Sequence, residues 1–303
     1  MMELAATYAL DDHPRLRSHP RAALVAMRPR QWVKNLLLFA GLIFAAKIGD
    51  VTRLAEAVAA FLAYCSVSSA AYLVNDLRDV EADRGHPTKR FRPIARGELP
   101  AASAITLVVL LSMVSLAIGA VLGPVSLALI LTFAAVQVGY SFGLKHVPLL
   151  DVVLISSLFV VRAVAGAVAV HVAISAWLLV CTWLLALFLA LGKRRAELVL
   201  VGARLTAGRR SIRRFTVHFF DQLIAAVGGA AVVSYAAYTV AGHNSRVLVI
   251  TTPLVIFGIF RYVYLLQRQG MGEEPENVLI GDRMILATVV AWAVVCALIL
   301  AAF

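Results

Sequence analysis

The sequence predicts an all-α protein that crosses a membrane about nine times. Of its 303 residues, 61% are hydrophobic and only 15% are charged, whereas soluble globular proteins are nearer to half apolar and a quarter charged. The mean hydropathy is +0.87. The apolar residues are gathered in long stretches, most of which approach the ~20 residues that a membrane-spanning helix needs. These observations indicate a polytopic helical membrane protein.

Nine apolar stretches follow one another along the chain, and we expect them to form a single membrane domain, residues 28–303. The first stretch is short, which indicates that it is tilted or partly interfacial. Gly123-Pro124 marks a tight break between the third and fourth stretches. Residues 1–27 are expected to form a flexible cytoplasmic segment. The stretches cover residues 32–47, 53–74, 100–122, 124–142, 149–169, 174–192, 215–241, 247–266 and 284–303.

Lysine and arginine are distributed very unevenly between the loops. Alternate loops on one side of the predicted bundle hold 24 of the 28 cationic residues, and the other side holds only Lys47, Arg53 and Arg246. The positive-inside rule places the crowded side and the N-terminus in the cytoplasm and the C-terminus outside. The net charge of +11 therefore reflects topology rather than a nucleic-acid surface. We predict a multi-pass protein of the inner (plasma) membrane.

An acidic motif follows the second apolar stretch, in the segment NDLRDVEADRGHPTKRFRP. If the helix continues beyond that stretch, Asp76, Asp79 and Asp83 fall within about a 60° arc of one face, and Asn75 lies beside them. Three carboxylates on one stripe repel one another and favour a divalent cation. Hard oxygen ligands suit Mg²⁺, which commonly binds a few carboxylates together with substrate phosphates. The alternative is a solvated acidic helix end that balances a basic loop.

Basic residues follow the acidic ones at once. Lys89, Arg90 and Arg92 lie close enough in the sequence to reach the same membrane edge. Cations in that position neutralise the charge of a departing diphosphate through charge-assisted hydrogen bonds. The acidic and basic parts together predict a magnesium–diphosphate site at the mouth of a membrane helix.

Three segments resemble motifs of the UbiA prenyltransferase superfamily. Residues 75–83 resemble its first aspartate-rich motif, NDxxDxxxD, and RPRQWVKN at 28–35 resembles its opening helix. YSFGLKH, with Tyr140 and Lys145, resembles the YxxxxK motif after the fourth helix. Members of the superfamily are nine-helix intramembrane enzymes that bind Mg²⁺-diphosphate in a central cavity facing the cytoplasm. The resemblance implies the same fold and cavity here, with Lys34, Tyr140 and Lys145 in the lining.

The segment after the sixth stretch departs from the superfamily pattern. Members typically carry a second aspartate-rich motif there, whereas GKRRAELVLVGARLTAGRRSIRRF contains one acid, Glu197, and eight Lys or Arg residues. Anionic ligands without a metal partner suit such a segment better than a second Mg²⁺. A helical continuation places Lys193, Arg194 and Glu197 on one side, which makes them candidates for a substrate phosphate. Residues 204–214 are expected to serve mainly topology.

Two blocks, YLVNDLRDVEADRGHPTKRFRPI and GKRRAEL, are similar to one branch of the superfamily, the decaprenyl-phosphate phosphoribosyltransferases. That resemblance implies a 5-phosphoribosyl 1-diphosphate (PRPP) donor, a polyprenyl phosphate acceptor, Mg²⁺ as cofactor and a place in arabinan precursor synthesis for the cell wall. A homo-oligomer is compatible with the sequence, and no nucleic-acid partner is expected. One alternative is a prenyl diphosphate donor with an aromatic acceptor, which the missing second aspartate motif disfavours. The other is a transporter.

Arg162 is a charged residue at mid-span, which is costly in a bilayer and usually faces an interior cavity. Asp151 lies about 16 Å earlier along the helix axis, so the two cannot pair within one straight helix. Arg162 therefore needs the substrate or a neighbouring helix as its partner. The full set of candidates is Asp76, Asp79, Asp83, Lys193 and Arg194 for catalysis, with the three aspartates as metal ligands, and Lys34, Asn75, Lys89, Arg90, Arg92, Tyr140, Lys145, Arg162 and Glu197 for substrate binding.

Overall fold

The chain folds into a bundle of helices, as the sequence predicts. A computed structural model describes residues 20–45, 47, 49–86, 88–204, 215–241, 246–268, 278 and 281–302, and every regular element in these ranges is helical. The α-helices are α1 Pro20–Ala26, α2 Ala40–Phe44, α3 Val51–Arg78, α4 Val80–Arg84, α5 Ala101–Leu122, α6 Pro124–Phe142, α7 Leu150–Ala169, α8 Ala176–Arg204, α9 Val217–Ala241, α10 Thr252–Arg268 and α11 Arg283–Ala302. The 3-10 helices are Pro29–Phe39, here called the first 3-10 helix, Lys89–Phe91, Leu144–His146 and Arg246–Thr251.

Seven of the described helices are long and apolar enough to cross a membrane, which confirms a multi-pass helical protein. They are α3, α5, α6, α7, α8, α9 and the segment Val247–Gln267, which contains most of α10. The described part of α11, Arg283–Ile299, is a shorter apolar helix. The first predicted stretch is split between the first 3-10 helix and the five-residue α2. The expected count of nine spanning helices is therefore not confirmed in the described ranges, because the first stretch is not one continuous α-helix.

The helices pack around two main clusters of buried side chains that share α7. One cluster joins the first 3-10 helix with α3, α6 and α7. At its centre the rings of Tyr64 and Phe133 meet edge to face, with centroids 5.1 Å apart. The other cluster joins α7 to α8, α9, α10 and α11 around Phe188 and Leu265. Helix α7 thus holds the two halves of the bundle together.

The first 3-10 helix lies very close to α7, because glycine leaves no side chain at the contact. A Cβ atom at Gly166 would lie 2.0 Å from the carbonyl oxygen of Leu38. One at Gly41, just after the 3-10 helix, would lie 2.8 Å from Cα of Ala167. This contact fixes the position of Asn35, on the first 3-10 helix, relative to α7.

The N-terminal segment was expected to be flexible over residues 1–27. Residues 20–26 instead form α1, whose Ala22 and Ala26 are buried in a cluster with Leu73 of α3. This part is an ordered helix because its alanine face packs against the bundle. Residues 1–19 lie outside the described residues.

Candidate functional site

Helix α3 carries the acidic stripe out of the apolar bundle. It runs past the apolar stretch to Arg78, and α4 follows after a single residue, Asp79. The helical hydrogen bonds continue across this point: Asp79 N donates to Asn75 O at 2.9 Å, and Asp83 N donates to Asp79 O at 2.8 Å. The predicted helical continuation is therefore confirmed, with a local departure at Asp79, whose ψ is 10°.

Asp76 and Asp83 are buried and share one arginine. Their exposed fractions are 2% and 3%. Nη1 of Arg92 donates to Asp76 Oδ1 at 3.0 Å and to Asp83 Oδ2 at 2.6 Å. A buried carboxylate must be paired and hydrogen-bonded to offset its lost hydration. The basic loop therefore folds back onto the acidic stripe, and two carboxylate oxygens converge on a single cationic nitrogen.

Arg28 also binds the stripe, and sequence reasoning did not single it out. Its Nη2 donates to both oxygens of Asp76, at 2.6 and 2.8 Å. Its guanidinium stacks over the ring of Tyr72, with Cζ 4.9 Å from the centroid. The backbone of Arg28 is left-handed, at φ 54° and ψ 61°, a conformation that is uncommon outside glycine. An arginine directly before a proline at the start of RPRQWVKN was the available signal, but its partner is 48 positions away.

Lys145 pairs with the remaining aspartate of the stripe. It is buried in the 3-10 helix Leu144–His146. Its Nζ lies 2.7 and 3.0 Å from the two oxygens of Asp79 and 3.4 Å from Oδ1 of Asn75. The two motifs predicted to line one cavity, NDxxDxxxD and YxxxxK, are thus in direct contact. We call the set Asn75, Asp76, Asp79, Asp83, Arg28, Arg92 and Lys145 the carboxylate cluster.

A second ionic group lies around Arg194 on α8, whose side chain is 3% exposed. Its Nε forms an ion pair with Asp151 Oδ2 at 2.6 Å. Its Nη1 donates to Glu197, and its Nη2 donates to the Tyr140 hydroxyl at 3.2 Å. The predicted grouping of Arg194 with Glu197 is confirmed, and Asp151 is an addition that the sequence did not assign. We call Arg194, Asp151, Glu197 and Tyr140 the Arg194 cluster.

The Arg194 cluster borders a small cavity with room for about one water molecule. Its lining consists of Pro148, Leu149, Asp151, Val152, Arg194, Phe215 and Phe220. The wall is therefore mostly apolar, with one ion pair at its edge. Lys145, on the α6–α7 connection, contacts the carboxylate cluster, and Asp151, at the start of α7, lines this cavity.

Four other predicted residues have different surroundings. Lys34 donates to Gln31 within the first 3-10 helix. Arg90 is exposed and stacks on Phe91, with Cζ 4.8 Å from the ring centroid. Lys89 and Lys193 are half-buried, on the 3-10 helix Lys89–Phe91 and on α8. Of the basic segment 204–214, all but its first residue lie outside the described residues.

Arg162 finds its partner on a neighbouring helix. It is 4% exposed, its Nε donates to Asn35 Oδ1 at 2.8 Å and its Nη1 donates to Leu158 O at 3.2 Å. The rings of Phe133 and Phe159 lie 4.7 and 5.1 Å from its Cζ. Of the two partners expected, the structure supplies the neighbouring helix, and Asp151 pairs elsewhere. Arg162 therefore anchors the first 3-10 helix to α7.

Arg195, in the block GKRRAEL, is a further buried cation, for which the sequence predicted no role of its own. Its Nε lies 2.5 Å from Asp221 Oδ1 on α9, and its Nη1 donates to Leu266 O on α10 at 3.0 Å. It therefore ties α8 to the next two helices. Successive residues of α8 point about 100° apart, so Arg194 and Arg195 serve different neighbours.

The donor set of the carboxylate cluster fits Mg²⁺. Asp76 and Asp83 already present two oxygens to one positive centre, the Arg92 nitrogen. Among the described residues, no three His, Cys, Asp or Glu side chains lie close enough together to hold an ion by themselves. Mg²⁺ is commonly bound by one or two carboxylates together with substrate phosphates. The cluster therefore suits an ion that shares its ligands with a phosphate-bearing substrate.

Comparison with known proteins decides the family. The profile of the UbiA prenyltransferase family matches residues 36–284. This chain belongs to the UbiA prenyltransferase family. Among solved UbiA structures, a UbiA homolog from Archaeoglobus fulgidus bound to GPP and Mg²⁺ is similar, with a TM-score of 0.71 at 18% identity over 91% of this chain and 99% of that chain. That likeness shows the UbiA fold.

Two relatives within the UbiA family are similar over nearly their whole length. The chain is 36% identical over 286 residues to the decaprenyl-phosphate phosphoribosyltransferase of Mycobacterium tuberculosis. The aligned region covers 91% of this chain and 94% of that protein. It is 38% identical over 283 residues to the protein of the same name from Mycolicibacterium smegmatis, which covers 88% of each. The family membership and the branch expected from the sequence blocks are thereby confirmed.

Proposed function

We propose that this protein transfers 5-phosphoribose from PRPP to a polyprenyl (decaprenyl) phosphate and releases diphosphate. The similarity to decaprenyl-phosphate phosphoribosyltransferases over about nine-tenths of the chain carries this proposal. The product would serve as a precursor of decaprenylphosphoryl-arabinose and of cell-wall arabinan. The basic segment that replaces a second aspartate motif suits the same pair of substrates, because both carry phosphates.

The carboxylate cluster would hold the donor diphosphate. Asp76 and Asp83, whose oxygens already converge on Arg92, would hold Mg²⁺ together with diphosphate oxygens, and Asp79 would join them once Lys145 turns from it to the diphosphate. The ion neutralises and orients the diphosphate when bound. Arg92 and Lys145 lie within hydrogen-bond distance of those carboxylates, so they are placed to donate to diphosphate oxygens. Lys34, Asn75, Lys89 and Arg90 are further candidates for contacts with the donor.

The reaction would need positioning and charge neutralisation more than proton transfer. The bond from ribose C1 to the diphosphate oxygen breaks as C1 gains oxocarbenium character, and a phosphate oxygen of the lipid forms the new bond to C1. That oxygen is already anionic at neutral pH, so no strong general base is required. Fixed cations that face the developing charge stabilise the transition state. Holding the two substrates in the geometry of the reaction accelerates it further.

The Arg194 cluster would meet the second phosphate. Arg194 is held by Asp151, Glu197 and Tyr140, so its orientation is fixed before any ligand arrives. Lys193, its neighbour, is half-buried at the same end of α8. We propose that these two cations bind either the donor 5-phosphate or the lipid head group. The lipid tail would extend between helices into the bilayer. The protein would lie in the plasma membrane, with the site facing the cytoplasm.

A transfer assay tests the function directly. Purified protein in detergent is given Mg²⁺, polyprenyl phosphate and PRPP labelled in the ribose, and label is measured in the extracted lipid with and without EDTA. We expect metal-dependent labelling of the lipid. Activity instead with a polyprenyl diphosphate and an aromatic acceptor, and none with PRPP, would replace this proposal with ordinary prenyl transfer.

A further inference from the structure

The carboxylate cluster is balanced in charge by its own side chains. Asp76, Asp79 and Asp83 supply three negative charges, and Arg28, Arg92 and Lys145 supply three positive ones. Each aspartate contacts at least one of these cations, and its shortest nitrogen–oxygen distance is 2.6 to 2.7 Å. Both oxygens of Asp76 are occupied by Arg28. An additional divalent cation would therefore bring uncompensated charge to a largely buried group.

We propose that Arg28, together with Arg92 and Lys145, is a built-in counter-ion that keeps divalent metal out of the carboxylate cluster until a diphosphate arrives with it. The metal and the diphosphate then enter as one complex, and the cations move from carboxylate oxygens to phosphate oxygens. The inference rests on the proposed function, because it takes the carboxylates as the metal site and a diphosphate as the donor group. It adds Arg28 to the residues that bind that donor.

The geometry of Arg28 fits a side chain that exchanges partners. Its planar guanidinium makes a bidentate contact with Asp76, and the same fork matches the oxygens of a phosphate. Its side chain is 27% exposed, whereas that of Asp76 is 2% exposed, so the arginine lies between the carboxylate and the outside of the cluster. A ligand that reaches Asp76 from there meets Arg28 first.

The backbone at Arg28 supports a dedicated role. A non-glycine residue in the left-handed region is strained and persists where surrounding contacts enforce it. Here the enforcing contacts are the two hydrogen bonds to Asp76 and the stacking on Tyr72. The proline that follows fixes the start of the first 3-10 helix. A phosphate that accepts the same two hydrogen bonds would hold the Arg28 side chain and its strained backbone as Asp76 does, so the exchange would leave the first 3-10 helix in place.

Direct measurement of divalent-ion binding tests the counter-ion. The probe is Mn²⁺, whose free concentration is followed by electron paramagnetic resonance, with full-length protein in detergent, first alone and then with PRPP. After subtraction of the Mn²⁺ that PRPP binds in a protein-free control, wild-type protein should bind Mn²⁺ weakly alone and much more tightly with PRPP. Arg28→Gln, which has a side chain of similar reach without the charge, should bind Mn²⁺ alone about tenfold more tightly than wild type and PRPP in the presence of Mn²⁺ about tenfold more weakly.

Two further variants make the test specific. Arg96→Gln removes a nearby exposed arginine that pairs with Glu98 outside the cluster, and it should change neither affinity. Arg28→Lys keeps the charge but not the fork, and it should fall between wild type and Arg28→Gln. It also stands in for Arg28→Gln if that variant is not recovered as a monodisperse protein.

The outcomes separate this inference from the proposed function. Asp76→Asn should abolish Mn²⁺ binding both with and without PRPP. Suppose that it does, and that Arg28→Gln and Arg28→Lys bind Mn²⁺ alone no more tightly than wild type. The counter-ion role of Arg28 is then wrong, and the metal site at Asp76 stands. If Asp76→Asn leaves Mn²⁺ binding unchanged, the metal assignment of the proposed function is itself wrong.

Discussion

Arg194 and Arg195 show how much depends on one residue's position around a helix. Both are buried in the second half of α8 and both pair with an acid, but they contact different neighbours. Arg194 joins α8 to Tyr140 of α6 and Asp151 of α7 beside the cavity. Arg195 joins it to α9 and α10. We infer that the first belongs to the substrate side and that the second stabilises the bundle.

Backbone strain marks the same region at single residues. Leu149 has φ 64°, which is unfavourable for a bulky side chain, and it immediately precedes the helix that carries Asp151. Arg28 has φ 54° and precedes the first 3-10 helix. Arg28 and Leu149 thus each end a connection whose neighbours enter an ionic cluster, whereas His171, with φ 53°, lies in the turn after α7. Strain of this kind tends to gather at functional sites.

Asp79→Asn should remove activity and leave the fold intact. Asp79 is the most exposed aspartate of the stripe, with 28% of its side chain accessible, and an asparagine oxygen in its place still accepts a hydrogen bond from Nζ of the buried Lys145, which also contacts Asn75. Loss of one carboxylate from the metal and diphosphate site should lower kcat at least about 100-fold. Turnover of labelled PRPP and the thermal midpoint in detergent are the two measurements.

Glu81→Gln is the matched control for that variant. Glu81 lies two residues further on, is 80% exposed and pairs with Arg84. It should keep wild-type turnover, since surface ion pairs contribute little. Equal losses of activity in the two variants would mean that the stripe has no special role.

At the scale of whole elements, α3 is the part that connects membrane and site. Its middle packs in the first core through Tyr64, and its end carries the carboxylates without a break in the hydrogen-bond ladder. The positions of the aspartates are therefore set by packing several turns away. The first 3-10 helix is placed in a similar way, by backbone contact with α7 and by Arg162 bonded to Asn35.

Gly166→Ala should destabilise the protein through the contact between the first 3-10 helix and α7. Its Cβ would overlap the carbonyl oxygen of Leu38 at 2.0 Å, and backbone cannot move aside as a flexible side chain can. Overpacking of this kind costs about 1–3 kcal/mol. Gly229→Ala is the control, because its Cβ would enter open space and alanine favours the helix. A midpoint of thermal unfolding that falls equally in both would contradict the assignment.

The start of α11 offers a pH test. Asp282 accepts from Nη2 of Arg261 at 2.8 Å and from the backbone N–H of Ile285 at 2.9 Å. The Arg261 hydrogen bond first, and then the Ile285 N–H, hold the pKa of the Asp282 carboxyl below its ordinary value of 3.8. A carboxyl whose pKa is lower in the folded than in the unfolded protein stabilises the fold. That contribution is fully present above the unfolded pKa and is lost as the pH falls through the folded pKa.

Asp282→Asn should therefore differ from wild type in a defined pH range. Asparagine is an equally good helix cap, so the variant removes the charge and keeps the cap. We expect its thermal midpoint to lie below that of wild type by a constant amount from about pH 8 to about pH 5, and the difference to vanish under stronger acid. A difference that already disappeared near neutral pH would point to another group.

At the scale of the whole molecule, the bundle consists of two packed halves that share α7. The carboxylate cluster belongs to the first half, and the Arg194 cluster bridges both. The two clusters lie at the same end of the bundle, because α3 and α6 end there, α7 begins there, and Arg194 of α8 contacts Tyr140 and Asp151. We infer that donor and acceptor phosphates meet at this end, at the contact between the halves.

Cysteine labelling should establish which side of the membrane this end faces. Arg96→Cys places a thiol on the loop before α5, beside the carboxylate cluster, and Lys47→Cys places one at the opposite end. A membrane-impermeant maleimide should label Lys47→Cys in intact cells and Arg96→Cys only after lysis. Wild-type protein controls for native thiols, of which Cys65 and Cys296 are buried. The reverse pattern would invert the proposed orientation.

The features that the sequence predicted are those with local periodicity. The helical class, the stripe from Asp76 to Asp83 and the pairing of Arg194 with Glu197 all follow from spacing within one helix, so they could be derived before any packing was known. The contact of Arg28 with Asp76 could not, since many cations compete for any acid at a separation of 48 positions. The division of the first apolar stretch was also missed, because glycine contacts with a distant helix decide it.

The order of synthesis gives the carboxylate cluster a further property. All members of the carboxylate cluster, from Arg28 to Lys145, come from the first half of the chain. Of the Arg194 cluster, Tyr140 is made just before Lys145 and Asp151 just after it. Only Arg194 and Glu197 must wait for α8. The ion pairs of the acidic stripe are therefore available while the later helices are still on the ribosome, so its buried aspartates need not wait for partners during insertion.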